Sequence, residues 1–326
     1  MRFAAYAAAL AAGALFAGVS TSMPAASADP FDPGTLPLSR YAPTGDHEPV
    51  STAAVVPCQG VYAVAEVVFR LMGKPSDLTC TQNGLFGVDL YYPKDIATMS
   101  RVPAIVWGPG STADPGNYDA SARLWAGNGF VVAIPHDLLN SLPEIPIAGA
   151  AALSQADHDP GSALFGKVDL SRTVIGGHSG GGAAAIEGAS IPPTVYRQID
   201  PDLRIIGAVP TEPSPYSTSF LLDVPTLYLA GSMDFVVPHL MTLWLEYPLA
   251  TNAPAFIVTV KNATHLTPLD DVAHNPMAGI TLAWLQYLVN DDKTAASYFV
   301  GPDWKLPADP AVDYALRNDR AEHLPA

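Results

Sequence analysis

One short stretch constrains this chain more than any other: Thr173-Val174-Ile175-Gly176-Gly177-His178-Ser179-Gly180-Gly181-Gly182-Ala183-Ala184-Ala185. β-branched residues open it and glycine and alanine close it, which predicts a strand, a sharp turn and a helix start. Within it lies Gly177-x-Ser179-x-Gly181, with the serine at the apex of the turn. Such a turn forces backbone angles that side chains resist, and helix and strand approach closely where it closes, so the serine needs glycines around it. The geometry expected is a nucleophile elbow. The Ser179 hydroxyl then stands clear above the strand end. The Gly180 N–H points into the same space, at the positive end of the new helix. In a chain with 26 glycines the five-residue pattern alone says little. Its weight comes from its flanks, and from an acid and a histidine that follow in the required order.

The flanks are a series of short apolar runs: Ala104 to Trp107, Phe130 to Ile134, Thr173 to Ile175, Ile205 to Val209, Thr226 to Ala230 and Phe256 to Val260. Gly87 to Pro93 alternates and precedes them. Continuous runs rather than strict alternation predict strands buried on both faces. Helical segments fall between them, at about Tyr118 to Gly127, Ile147 to Ala156, Gly180 to Ala189, His239 to Glu246 and Pro276 to Val289. Strands alternating with helices predict a mostly parallel central sheet with helices on both faces, the α/β-hydrolase fold.

The ends read differently. Residues 1–28 carry Arg2, an apolar run from Phe3 to Val19, and Ala26-Ser27-Ala28 before Asp29, the pattern of a cleaved secretory signal. The run is mostly alanine and short for a membrane span. Residues 29–85 are expected to be an N-terminal extension: a Pro/Ser/Thr/Ala-rich extended lead-in to residue 57, then a short helix from Val61 to Met72. Cys58 and Cys80 flank that helix. In an exported chain such a pair suggests a disulfide closing a loop of about 22 residues, worth ~3 kcal/mol in the chain-entropy account; two buried thiols are the alternative. Residues 86–302 are then the catalytic domain, and 303–326, with few apolar residues, a loose tail. The formal charge of −15 argues against nucleic acid and anionic membranes, and favours solubility and neutral or cationic substrates. A monomer without stable membrane insertion after signal cleavage is expected.

A serine hydroxyl needs a base in hydrogen-bond reach and an acid to orient that base. Asp234 lies just past the run at 226–230, and His265 just past the run at 256–260. The order Ser179, Asp234, His265 is the one this fold requires. Of the eight histidines, His274 is the nearest rival, and His178 reads as packing because the elbow turns it away from the serine. Asp223 precedes its strand and so lies at the wrong edge. The oxyanion would be met by the Gly180 N–H and by the Ser111 N–H of the loop Trp107-Gly108-Pro109-Gly110-Ser111-Thr112. His136 could line the rim, and Tyr216 is the one aromatic residue of the loop from Thr211. No metal-ligand cluster stands out, and no cofactor is expected.

In these motifs the chain resembles the secreted cutinase-like polyester hydrolases, within the wider dienelactone-hydrolase-like branch. The matching stretches include Tyr91-Tyr92-Pro93, Gly108-Pro109-Gly110, His178-Ser179-Gly180-Gly181-Gly182, Val224-Pro225-Thr226-Leu227, Asp234-Phe235-Val236-Val237-Pro238 and Ala263-Thr264-His265. The resemblance runs over roughly 89–304. It implies a serine esterase acting through an acyl-enzyme, with nucleophile, acid and base on Ser179, Asp234 and His265. Polyester-degrading members usually carry an aromatic residue where this chain has Ser111, methionine where it has Gly180, and often tryptophan in the loop that here holds Tyr216. Their C-terminal disulfide has no counterpart. The apolar stretch from His136 to Gly166 could form part of an acyl pocket or a cap, or pack as an ordinary crossover helix. A small-molecule or polymeric ester is the expected substrate. Acyl transfer to an alcohol on the same fold, and a non-catalytic exported binding protein, are the alternatives.

Overall fold

The computed structural model describes residues 45–71, 84–137, 140–215, 217 and 219–325. The expected signal at 1–28, Cys80, Leu138, Leu139 and Tyr216 lie outside the described residues.

Every apolar run read as a strand is one. β1 (Pro49–Pro57), β2 (Leu85–Pro93), β3 (Val102–Gly108), β4 (Val131–His136), β5 (Val168–His178), β6 (Ile205–Thr211), β7 (Thr226–Gly231), β8 (Ala255–Val260) and β9 (Val312–Arg317) form one sheet. Its order is β1-β2-β4-β3-β5-β6-β7-β8-β9. The strands from β3 to β8 pair in parallel; β1, β2 and β9 pair antiparallel. This is the α/β-hydrolase architecture expected.

Burial on both faces explains the unbroken apolar runs. In β3, Ile105 and Trp107 enter one core, and Ala104 and Val106 the other. In β4, Val132 and Ile134 divide from Val131 and Ala133 in the same way. The first core is covered by α2 (Asp119–Gly127), α5 (Pro276–Asn290) and α6 (Lys293–Phe299), with Trp125, Trp284 and Phe299 fully enclosed. The opposite face carries α1 (Cys58–Leu71), α3 (Glu144–His158) and α4 (Gly180–Ala189). Ile145 and Ile147 of α3 are buried against the sheet, so this part of the 136–166 stretch is a packed crossover helix. Among the described residues no helix is long and apolar enough to cross a membrane.

Both ends correct the sequence reading. Residues 49–57 are not a mere lead-in: they form β1, in register with β2 from Pro49↔Pro93 to Pro57↔Leu85. Residues 303–326 are not a loose tail. β9 pairs with β8, Val312 and Ala315 are buried, and Arg317 lies 4.9 Å from the Trp304 ring centre. Asn318 donates to the Ala250 and Ala253 carbonyls and accepts from the Ala255 N–H, which pins the segment. An edge strand buries one face only, so its apolar content is low and the sequence pattern misses it. The sheet is therefore wider than residues 86–302.

Candidate active site

The loops that follow β3, β5, β7 and β8 carry Ser111, Ser179, Asp234 and His265 to one end of the sheet. Ser179 follows β5 with φ 55° and ψ −116°, a conformation that costs a non-glycine residue free energy and lifts its side chain off the strand. The close approach around it is severe. A Cβ on Gly177 would lie 2.2 Å from the Gly181 carbonyl oxygen, and one on Gly181 2.1 Å from that of Gly108. The Ser179 N–H donates to the Thr211 carbonyl, and the Ser179 carbonyl accepts from Ser214, so the loop after β6 braces the turn.

His265 Nε2 lies 3.0 Å from Ser179 Oγ, and its Nδ1 lies 2.8 Å from Asp234 Oδ2. Asp234 is buried, and its Oδ1 accepts the N–H groups of Val236 and Val237 at 2.8 Å each. Those bonds hold the carboxylate so that Oδ2 faces the imidazole. Asp234 caps this local turn rather than the helix that starts at His239, whose cap is Pro238. The rivals stand apart: His274 pairs with Asp271 at the surface, and Asp223 is exposed before β7.

Ser111 and Gly180 adjoin as expected. A Cβ on Gly180 would lie 3.3 Å from the Ser111 nitrogen and 2.3 Å from the hydroxyls of both Ser111 and Ser141, which hydrogen-bond each other at 2.8 Å. Those hydroxyls occupy the space a side chain at position 180 would take. The loop is held from behind. Tyr118 Oη accepts the Gly110 N–H at 2.8 Å, and buried Asn140 donates to the Gly110 and Ala113 carbonyls. Asn140 itself has φ +52°.

Other expectations change. His136 is not brought to the serine: its ring lies over Gly87 of β2, where an added Cβ would come within 2.7 Å of Nε2, two strands from β5. It packs there because glycine leaves the room. His178 is more than packing. Its Nδ1 meets Tyr118 Oη at 2.8 Å, its Nε2 faces Glu212 Oε2 at 3.2 Å, and its ring centre is 4.6 Å from that of His265.

Glu212 carries no signature in the sequence that marks it as part of the site. It is fully buried, and its Oε2 is 3.5 Å from His265 Nδ1. Burial, then the nearby Asp234 charge, hold its carboxyl well above the ordinary range. Burial, then His265, hold His178 well below the ordinary imidazole value, so it is neutral at neutral pH. In the sequence its one trait is its position, directly after an apolar strand. His178, Glu212 and His265 have polar atoms within 4.8 Å of one another, but both nitrogens of His265 and Nδ1 of His178 already meet side-chain partners, which makes the group a hydrogen-bonded cluster and not a ligand set.

A serine hydroxyl against an imidazole with a carboxylate behind it makes an arrangement suited to acyl transfer from an ester. Fold and site define the class, a hydrolase of carboxylic esters on the α/β-hydrolase fold. Within that class the chain belongs to the PET hydrolase-like family, whose model matches residues 44–314. It is similar to cutinase cut1 of Thermobifida fusca, 27% identical over 300 residues that cover 90% of this chain and 82% of the relative. A bis(hydroxyethyl) terephthalate hydrolase of Streptomyces coelicolor is 27% identical over 297 residues, 89% and 84% of the two chains. Cutinase est1 of Thermobifida alba is 28% identical over 228 residues, 68% and 70%.

Proposed function

We propose that Ser179, His265 and Asp234 are the catalytic triad of a secreted esterase that works through an acyl-enzyme. The observation that carries this is the line Ser179 Oγ, His265 Nε2, His265 Nδ1, Asp234 Oδ2, at 3.0 and 2.8 Å. Ser179 attacks the ester carbonyl while His265 Nε2 takes its proton. The tetrahedral oxyanion accepts the N–H groups of Gly180 and Ser111. His265 then hands the proton to the leaving alkoxide, which departs as the alcohol and leaves an acyl-Ser179. Water, deprotonated by the same nitrogen, attacks the acyl group, and the acid leaves with Ser179 regaining its proton. Asp234 holds the imidazolium throughout.

The substrate is an apolar ester, small or polymeric. Exposed apolar side chains adjoin the triad in sequence: Phe235 is 80% exposed beside Asp234, with Met233 and Val236, and Leu266 is 65% exposed beside His265. The enzyme acts as a monomer without stable membrane insertion. Export after cleavage at residue 28 suits the leader-like composition, and a Cys58–Cys80 disulfide would then close the loop that begins at buried Cys58.

The test is hydrolysis of p-nitrophenyl esters from acetate to palmitate by the wild type and by Ser179→Ala. Cleavage is expected from the wild type alone, with a loss of about 10⁴-fold or more in the variant. An equally active variant overturns the assignment. The chain-length optimum separates a short acyl pocket from a long one.

A further inference from the structure

The sheet places a second carboxylate behind the histidine. Glu212 follows β6 as Asp234 follows β7, and both acids face the same nitrogen of His265, at 3.5 and 2.8 Å. Three features set Glu212 apart from an ordinary buried side chain. It is wholly enclosed, and its carboxyl meets the Gly231 N–H and the rings of His178 and His265 instead of solvent. Its backbone sits at φ +46°, where an L-residue persists only if its surroundings enforce it. And it ends a chain of polar contacts from the oxyanion loop. The Gly110 N–H donates to Tyr118 Oη, so the tyrosine proton is free to go to His178 Nδ1. That leaves the proton of neutral His178 on Nε2, which faces Glu212 Oε2 at 3.2 Å. The loops carrying the oxyanion donors, the nucleophile and the base thus converge on one buried acid.

We propose that Glu212 is a second positioning acid of His265, steadying its Nδ1 edge in the native enzyme and taking over its orientation when Asp234 has no charge. This rests on the triad proposed above. The titratable groups that face Glu212 are Tyr118, His178, Asp234 and His265. With Asp234 ionised, a second charge in the same enclosure is opposed, and Glu212 keeps its proton. The neutral acid then adds a polar wall without competing for the imidazolium. With Asp234 neutralised, the Coulombic part of that opposition vanishes. Glu212 then ionises more readily, and a shift of well under 1 Å would bring its Oε2 to hydrogen-bond distance of Nδ1.

The test is the pH dependence of kcat and KM for a p-nitrophenyl ester, with wild type, Glu212→Gln, Asp234→Asn and the double variant. Glu212→Gln is expected to lower kcat about 10-fold with KM within about 2-fold. Removing the only acid of such a triad costs about 10⁴-fold, because the imidazole takes the wrong tautomer. Asp234→Asn is expected to lose only about 10²-fold, and its activity should climb with pH as Glu212 ionises. The double variant should lose that climb and fall roughly another 10²-fold. A merely structural Glu212 would not move the pH profile. A double variant no slower than Asp234→Asn overturns the proposal. Should Glu212→Gln not fold, the Asp234→Asn profile decides, and one that stays flat into the alkaline range overturns it. An inactive wild type, or an active Ser179→Ala, removes the triad reading and this proposal with it; a working wild type with a flat Asp234→Asn profile removes this proposal alone.

Discussion

At the scale of the residue, the site is a set of conformations that ordinary side chains resist. Ser179, Glu212, Asn140 and Thr112 all have positive φ, and all lie in the loops that assemble the site. Each such residue costs about 1–3 kcal/mol, which the packed sheet offsets. The glycine after the nucleophile has a separate reason. Gly180→Ala drives a methyl group into the Ser111 and Ser141 hydroxyls, each 2.3 Å from it. Both hydroxyls can rotate aside, while the Ser111 backbone nitrogen lies 3.3 Å from that point, so the expected fall in kcat stays below the ~10²–10³-fold of losing one donor outright. Steady-state kinetics beside a thermal melt checks it. Unchanged kcat would show that the two hydroxyls make room without disturbing the site. Tyr118→Phe removes the acceptor for the Gly110 N–H and the donor to His178, both buried. Urea unfolding should show a loss of about 1–3 kcal/mol.

At the scale of the element, α3 holds a charge problem of its own. Glu144 in its first turn is buried against the sheet, with Glu187 of α4 and Asp137 nearby. Burial, above all, raises its pKa from 4.5 to about 8. A carboxyl whose folded pKa is raised ionises first in the unfolded chain. Its share of stability is therefore full below pH 4.5 and is lost as pH rises to about 8. The total is on the order of 4 kcal/mol. Glu144→Gln keeps the shape and cannot ionise, so it should gain on the wild type between about pH 5 and 8 in urea titrations and level off above that. Parallel curves for the two proteins would mean that Glu144 is charged in the native state.

At the scale of the whole molecule, the sheet is closed by segments that lie far apart in the chain. β9 covers the edge of β8, whose residues 255–260 are all buried. Ending the chain before Val312 uncovers that edge, and a fall of tens of degrees in melting temperature, or aggregation, is expected. A melt like that of the full chain would make β9 an ornament. How much of this was legible beforehand follows from the range of each force. Local chemistry determined the strands, the elbow, and the order Ser179, Asp234, His265, because turn glycines and apolar runs act within a few residues. What sets the surroundings of Glu212, His178 and His136 acts across strands. Glu212 is one glutamate in a proline-rich loop until β5, β7 and β8 deliver His178, Asp234 and His265 to it. His136 is drawn to β2 because Gly87 leaves a gap opposite it, which only pairing creates. The edge strands β1 and β9 escape a sequence pattern because each is half solvated, and only a sheet already formed gives their backbones partners. The chain by itself determined which chemistry it could carry. The tertiary structure alone decided which acids face the histidine, since burial and Coulombic contact depend on distance in space, not along the chain.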